Sequence, residues 1–131
     1  MKQYSTEMIL IRYATTMSNY KRTPEFEKEY KKLSSKYRTL DQDLLTFEKI
    51  ISRFPTGQGN KFAIIHSDGD FKIVKARLMC RALQGSSLRI VYAYHTEEIT
   101  FMYIELYFKG DKENEDHGRI KDYIKSHQKI N

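Results

Sequence analysis

The chain has 131 residues, 40% hydrophobic and 31% charged, the proportions of one ordinary folded domain rather than of a disordered or two-domain chain. Its 23 Lys and Arg against 17 Asp and Glu give a net charge of +6, which favours a polyanionic partner; the single cysteine, Cys80, cannot form an internal disulfide and points to a reducing compartment, the cytoplasm. No run approaches the roughly 18 apolar residues that span a membrane, and the apolar run near the start is too short for a signal peptide, so no membrane is expected.

Regular patterning begins after Met17. Residues 1–17 are therefore read as an N-terminal extension, either an added strand or an upstream start, and residues 18–131 as a single domain. Thr23 and Pro24 form an N-cap followed by proline at the first helical position. Phe26, Tyr30, Leu33 and Tyr37 then share one helical face, and Lys28, Lys31, Lys32 and Lys36 occupy the opposite one. Thr39 and Gln42 fit a capping box for a second helix, whose apolar positions Leu40, Leu44, Phe47, Ile51 and Phe54 keep the same spacing until Pro55 and the glycines at 57 and 59 end it. So short a junction predicts an antiparallel helical hairpin over residues 23–54.

Beyond Gly59 the period changes to that of strands, at 62–66, 71–83, 88–95 and 99–108. Asp68-Gly69 predicts a tight turn with positive φ between the first two, and Gly85-Ser86 and Glu97-Glu98 mark the later turns. A weaker helix over 113–127 carries Ile120 and Ile124, with Asp111 or Asp116 as its cap. The expected fold is α+β: an N-terminal helical hairpin packed on one face of a four- or five-stranded antiparallel sheet, with a short C-terminal helix.

Residues two apart in a strand share a face. Val74, Ala76, Leu78, Cys80 and Ala82 form an apolar face suited to the helices, which turns Lys75, Arg77 and Arg81 together to the other side as a basic platform. From Phe71 to Tyr92 the chain holds Lys72, Lys75, Arg77, Arg81 and Arg89 and no acid, so these charges need an outside anion or long-range partners. Arg89, just after a turn, either grips a phosphate with two parallel hydrogen bonds or pairs with Glu97 or Glu98. Lys109 and Lys112 follow the last strand, in a run that otherwise reads as a solvated loop. His66, His95, His117 and His127 have no metal-ligand spacing, so no metal or other cofactor is expected; His117, beside the Lys109 and Lys112 segment, is a candidate proton donor.

The order of these elements, with RTPEFEKEYKKL at 22–33, KARLMCRALQGSSLRIVYAY at 75–94 and ITFMYIELYFKGDKENED at 99–116, resembles the RelE/ParE superfamily of bacterial toxins, in its RelE and HigB branch, over residues 18–127. The resemblance implies the toxin of a toxin–antitoxin pair that cleaves mRNA at the ribosome without metal and so inhibits translation. It implies a cognate antitoxin as partner, alone or in an oligomer with it. Carried onto this chain, the active-site cations match Lys75, Arg77 or Arg81 on the strand, Arg89 after the turn and Lys109, with His117 as a further catalytic candidate. Lys72, Lys112, Lys31 and Lys32 would add contacts to nucleic acid. Two alternatives stay open: a ParE-like gyrase poison without an active site, and a catalytically inert basic RNA-binding module.

Overall fold

A computed structural model of the protein describes residues 19–128. The extension expected at 1–17 lies outside the described residues. The chain enters on a strand, β1 (Asn19–Arg22), and then forms α1 (Pro24–Lys36) and α2 (Leu40–Arg53). Four strands follow: β2 (Phe62–Ser67), β3 (Phe71–Met79), β4 (Ser87–His95) and β5 (Thr100–Phe108), closed by α3 (His117–His127). The sheet order is β1-β5-β4-β3-β2.

The expected sheet was wholly antiparallel with the helical hairpin first. The structure corrects both points: β1 precedes the hairpin and pairs parallel to β5, Asn19 opposite Thr100 and Arg22 opposite Tyr103, so the sheet is mixed. Four residues with one half-buried side chain, Tyr20, give no alternation to read; Tyr20 stacks on Phe101 at 5.1 Å between ring centres. The hairpin itself forms as its spacing requires. Thr23 caps α1 by accepting from Phe26 N, and Phe26, Tyr30 and Leu33 bury against the sheet. Thr39 does not build the expected capping box; its hydroxyl donates to Asp43 Oδ2 at 2.7 Å and accepts from Ala82 N at 3.0 Å, tying α2 to the segment after β3.

Two turns use chemistry other than that expected. Gly69 has no positive φ; instead Asp68 Oδ1 accepts from Asp70 N and Phe71 N, so an aspartate side chain closes the β2–β3 turn. Gly57, after α2, does need glycine: its φ is +84°, and a Cβ there would lie 1.9 Å from Cγ of Phe62.

The sheet separates two apolar layers. On one side Val74, Ala76, Leu78, Leu88, Ile90, Tyr92, Phe101 and Tyr103 bury against α1 and α2. On the other, α3 lays Ile120 and Tyr123 over Phe71, Ile73, Val91, Ala93 and Ile104. The α3 helix is capped by Asp116, which accepts from Arg119 N at 3.0 Å, and is held to the sheet by Arg119, which donates to Glu29 of α1 at 2.9 Å and to Ile104 O at 3.0 Å. It covers only part of that face.

Candidate nucleic-acid interface and active site

The uncovered part of the outer sheet face is where the cations meet. In the β3–β4 register Arg77 lies opposite Arg89, and Lys75 opposite Val91; on β5, Arg89 faces Tyr107 and Val91 faces Glu105. Lys75, Arg77, Arg89 and Lys109 line one open cavity of about 190 Å³ together with Asn60 and Lys61, and no carboxylate lines it. Lys61 was not singled out in the sequence. It stands just before β2, and its carbonyl accepts from Arg77 N at 3.0 Å, so the backbone brings it to the cluster. Two larger hollows along α2, about 360 and 790 Å³, both include Lys61, Ile50 and Phe62; Phe47 adds to the apolar wall of the smaller and Phe54 to that of the larger.

The anions supplied to this face are few and committed. Glu105 is fully buried; it takes the Lys112 ammonium on Oε2 and Asp116 N on Oε1 at 2.9 Å. Lys112 also lies 5.2 Å from the centre of the Tyr107 ring, so this half-exposed lysine is committed to Glu105 and the ring. Glu115 reaches from the 109–116 loop to Lys75 Nζ at 2.8 Å and to His117 Nε2 at 3.2 Å. Burial works against its charged form, but hydrogen bonds from Lys75, the backbone and His117 outweigh it and hold the carboxyl down at about 2. Burial, followed by the charges of Glu115 and Glu105, pushes the nearby Tyr107 phenol up to about 12. Arg77 and Lys109 are exposed, and among the described residues neither has an ion-pair partner; Arg89 is steadied only by Ser87 Oγ, at 2.8 Å. The pairing of Arg89 with Glu97 or Glu98 does not occur, because those acids lie at the opposite end of the β4–β5 hairpin.

Four other expected residues stand elsewhere. β3 ends at Met79, and Arg81 lies in a short 3₁₀ turn, Arg81–Leu83, not on the strand face. The turn breaks the two-residue alternation on which its placement rested. Arg81 donates from Nε to Asp43 Oδ1 at 3.0 Å and from its backbone N to Oδ2 at 3.1 Å, on the side of α2. Burial would raise the Asp43 carboxyl, but bonds from Thr39 and Arg81 bring it below its ordinary range. Lys72 shares the face of Val74 and Ala76, away from the cluster. Lys31 and Lys32 are exposed on α1, in the helical layer.

His66, His95 and His127 gather around Phe71 at the far end of β3, with His95 Nε2 2.6 Å from the Tyr123 hydroxyl. Among the described residues no group of three or more His, Cys, Asp or Glu is placed to hold a metal ion, and no helix is long and apolar enough to cross a membrane. Of the expected residues, then, Lys75, Arg77, Arg89 and Lys109 come together, and His117 joins Lys75 through Glu115; Arg81 is outside that cavity but lines the hollow of about 360 Å³ beside Arg77 and Lys61, and Lys72, Lys31 and Lys32 join neither. Tyr107 and Glu115 were missed. Tyr107 was legible from its alternation with Glu105 on β5, whereas Glu115 sits in a loop whose reach no periodicity gives.

No family model and no curated protein matches the chain. Solved structures do. The chain is similar to RelE in the archaeal RelE–RelB complex from Pyrococcus horikoshii, with a TM-score of 0.57 at 17% identity over 72% of this chain and 97% of that one. It is also similar to a double arginine-to-alanine variant of the E. coli toxin RelE in the free state, with a TM-score of 0.51 at 19% identity over 86% of this chain and 99% of that one. The chain has the fold of the RelE toxins.

Proposed function

We propose that the chain is the toxin of a toxin–antitoxin pair and a metal-independent endoribonuclease that cleaves mRNA at the ribosome, with residues 18–131 as the active unit. The observation that carries this reading is the convergence of Lys61, Lys75, Arg77, Arg89 and Lys109 on one cavity that no carboxylate lines. A cavity so lined suits a phosphodiester better than a neutral or cationic ligand. The RelE fold supports the toxin half of the proposal, and the antitoxin bound to the archaeal neighbour supports a protein partner.

Metal-free cleavage of RNA needs three things: removal of the 2′-hydroxyl proton, stabilisation of the charge that builds on the phosphorane, and protonation of the departing 5′-oxygen. Arg77 and Arg89, side by side across the β3–β4 ladder, are the donors for the phosphorane. Lys75 and His117, joined through Glu115, are the groups able to move protons, and Lys109 stands where it can neutralise the leaving oxygen. Arg81 is outside this set, because Asp43 holds it on the side of α2, in the neighbouring hollow.

Single-turnover cleavage of ribosome-bound mRNA tests the proposal. Arg89→Ala should lower the rate by about a hundredfold or more, roughly 3 kcal/mol, with a much smaller change in ribosome affinity, because its bonds strengthen as phosphorane charge develops. A parent protein that cleaves no RNA but stalls gyrase would replace this reading with the ParE-like one.

A further inference from the structure

We infer that Glu115 is an internal substitute for a phosphate: it occupies Lys75 in the free protein and yields that ammonium to the RNA backbone when it binds. This inference rests on the phosphodiester reading of the cavity. It makes Glu115 a positioning residue, acting on substrate through Lys75.

Lys75 stands between the cavity and a carboxylate. Its ammonium lines the cationic cavity and is also 2.8 Å from Glu115 Oε2. The ammonium has three N–H donors, but a carboxylate and a phosphate gathered on it repel each other, so an incoming phosphate competes with Glu115 for the charge of Lys75. The other carboxylate on this face cannot take that role, because both oxygens of buried Glu105 are engaged by Lys112 and Asp116 N.

Exchange is feasible for two reasons. The Lys75 side chain is 32% exposed, so water can solvate its ammonium while it changes partners. Glu115, at 12% exposure, would be costly to strand, but it has other donors: His117 Nε2 at 3.2 Å and a backbone N–H. Lys75 can leave without abandoning a buried charge. The backbone around Glu115 stays in place meanwhile, since the loop is pinned at one end by Asp111 N and Lys112 N on Phe108 O and at the other by Asp116 N on Glu105. The movement is therefore one of side chains, with Lys75 swinging from a carboxylate to a phosphate.

The test uses a single-stranded DNA oligonucleotide, which has no 2′-hydroxyl and so reports binding without cleavage. Glu115→Gln should bind it roughly three- to tenfold more tightly than the parent at about 0.1 M salt, and the slope of log affinity against log salt should steepen by about 0.7, one added phosphate contact. Glu115→Ala should move both readouts in the same direction. Glu113→Gln, an exposed acid of the same loop, removes the same formal charge and should change affinity less than about twofold. In a Lys75→Ala background the gain from Glu115→Gln should vanish. Tightening no greater than that of Glu113→Gln, or tightening that survives loss of Lys75, overturns the inference while leaving the cationic site intact. Failure of the parent and of Glu115→Gln alike to bind the oligonucleotide overturns both the inference and the nuclease reading beneath it.

Discussion

The two halves of the outer sheet face are built from the same strands and the same alternation, yet they do opposite things. Toward the end where β3 begins, Phe71, Ile73, Val91 and Ala93 are fully buried beneath α3. Two residues further along the same side of β3 the chain places Lys75, then Arg77, and across from it Arg89, all beyond the reach of the helix. Alternation decides which side of the sheet a residue faces, whereas distance along the strand decides whether that side is core or open to a ligand. The Lys75–Glu115 ion pair stands at the border, where the loop into α3 meets the first cation.

The largest effect expected from this contrast is on stability. Phe71→Ala removes a fully buried ring from the covered half and should cost about 3–5 kcal/mol in denaturant unfolding, while Arg77→Ala in the open half should stay within about 0.5 kcal/mol. Equal losses at the two sites would dissolve the distinction between the halves.

A smaller effect separates Arg81 from the cluster. Asp43→Ala strips α2 of the acceptor for Thr39 and for two donors of Arg81, and should cost about 2 kcal/mol. Arg81→Ala should cost less, since the guanidinium is 68% exposed and one of the bonds to Asp43 comes from the backbone N that the substitution keeps. Neither change should reproduce the loss of cleavage expected for Arg89→Ala. If Arg81→Ala matched it, Arg81 would belong to the site after all.

The border itself has a pH signature. Because folding lowers the Glu115 carboxyl from near 4.5 to about 2, the unfolded chain takes up that proton at higher pH than the native protein. The stability contributed by Glu115 is therefore complete above about 4.5 and is lost as pH falls toward 2. The stability gap between the parent and Glu115→Gln should narrow across that window, and a gap independent of pH would mean the carboxylate is not held as described. Least of all should Lys31→Ala matter: on the exposed side of α1, it should weaken binding of a nucleic acid by less than about twofold.

Much of this was legible in the sequence, and the reason differs by element. The hairpin of α1 and α2 follows from three- and four-residue spacing of Phe26, Tyr30, Leu33, Leu44, Phe47 and Ile51, a pattern that only a helix can bury on one side. The facing of Lys75 and Arg77 away from Val74, Ala76 and Leu78 follows from the two-residue period of β3, which leaves no other way to bury the apolar set. The meeting of Arg77 and Arg89 did not follow from that period: it depends on the longer connection over residues 80–86, with its 3₁₀ turn, which replaces the tight turn expected at Gly85-Ser86 and shifts the β3–β4 register.

What the tertiary structure alone decided involves contacts between segments far apart in the chain, where no local period operates. β1 depends on β5 for its backbone partners, and four residues without alternation carry no strand signal. Arg81 left the platform because Thr39 and Asp43, about 40 positions earlier, draw the chain after Met79 into a turn against α2. Glu115 reaches Lys75 across 40 residues, and Lys61 joins the cavity through a backbone bond to Arg77. Local sequence determines an element and the side it buries, because both depend on neighbours a few residues away. The placement of a loop carboxylate against a strand ammonium depends on how the finished layers stack, and is settled only when they do.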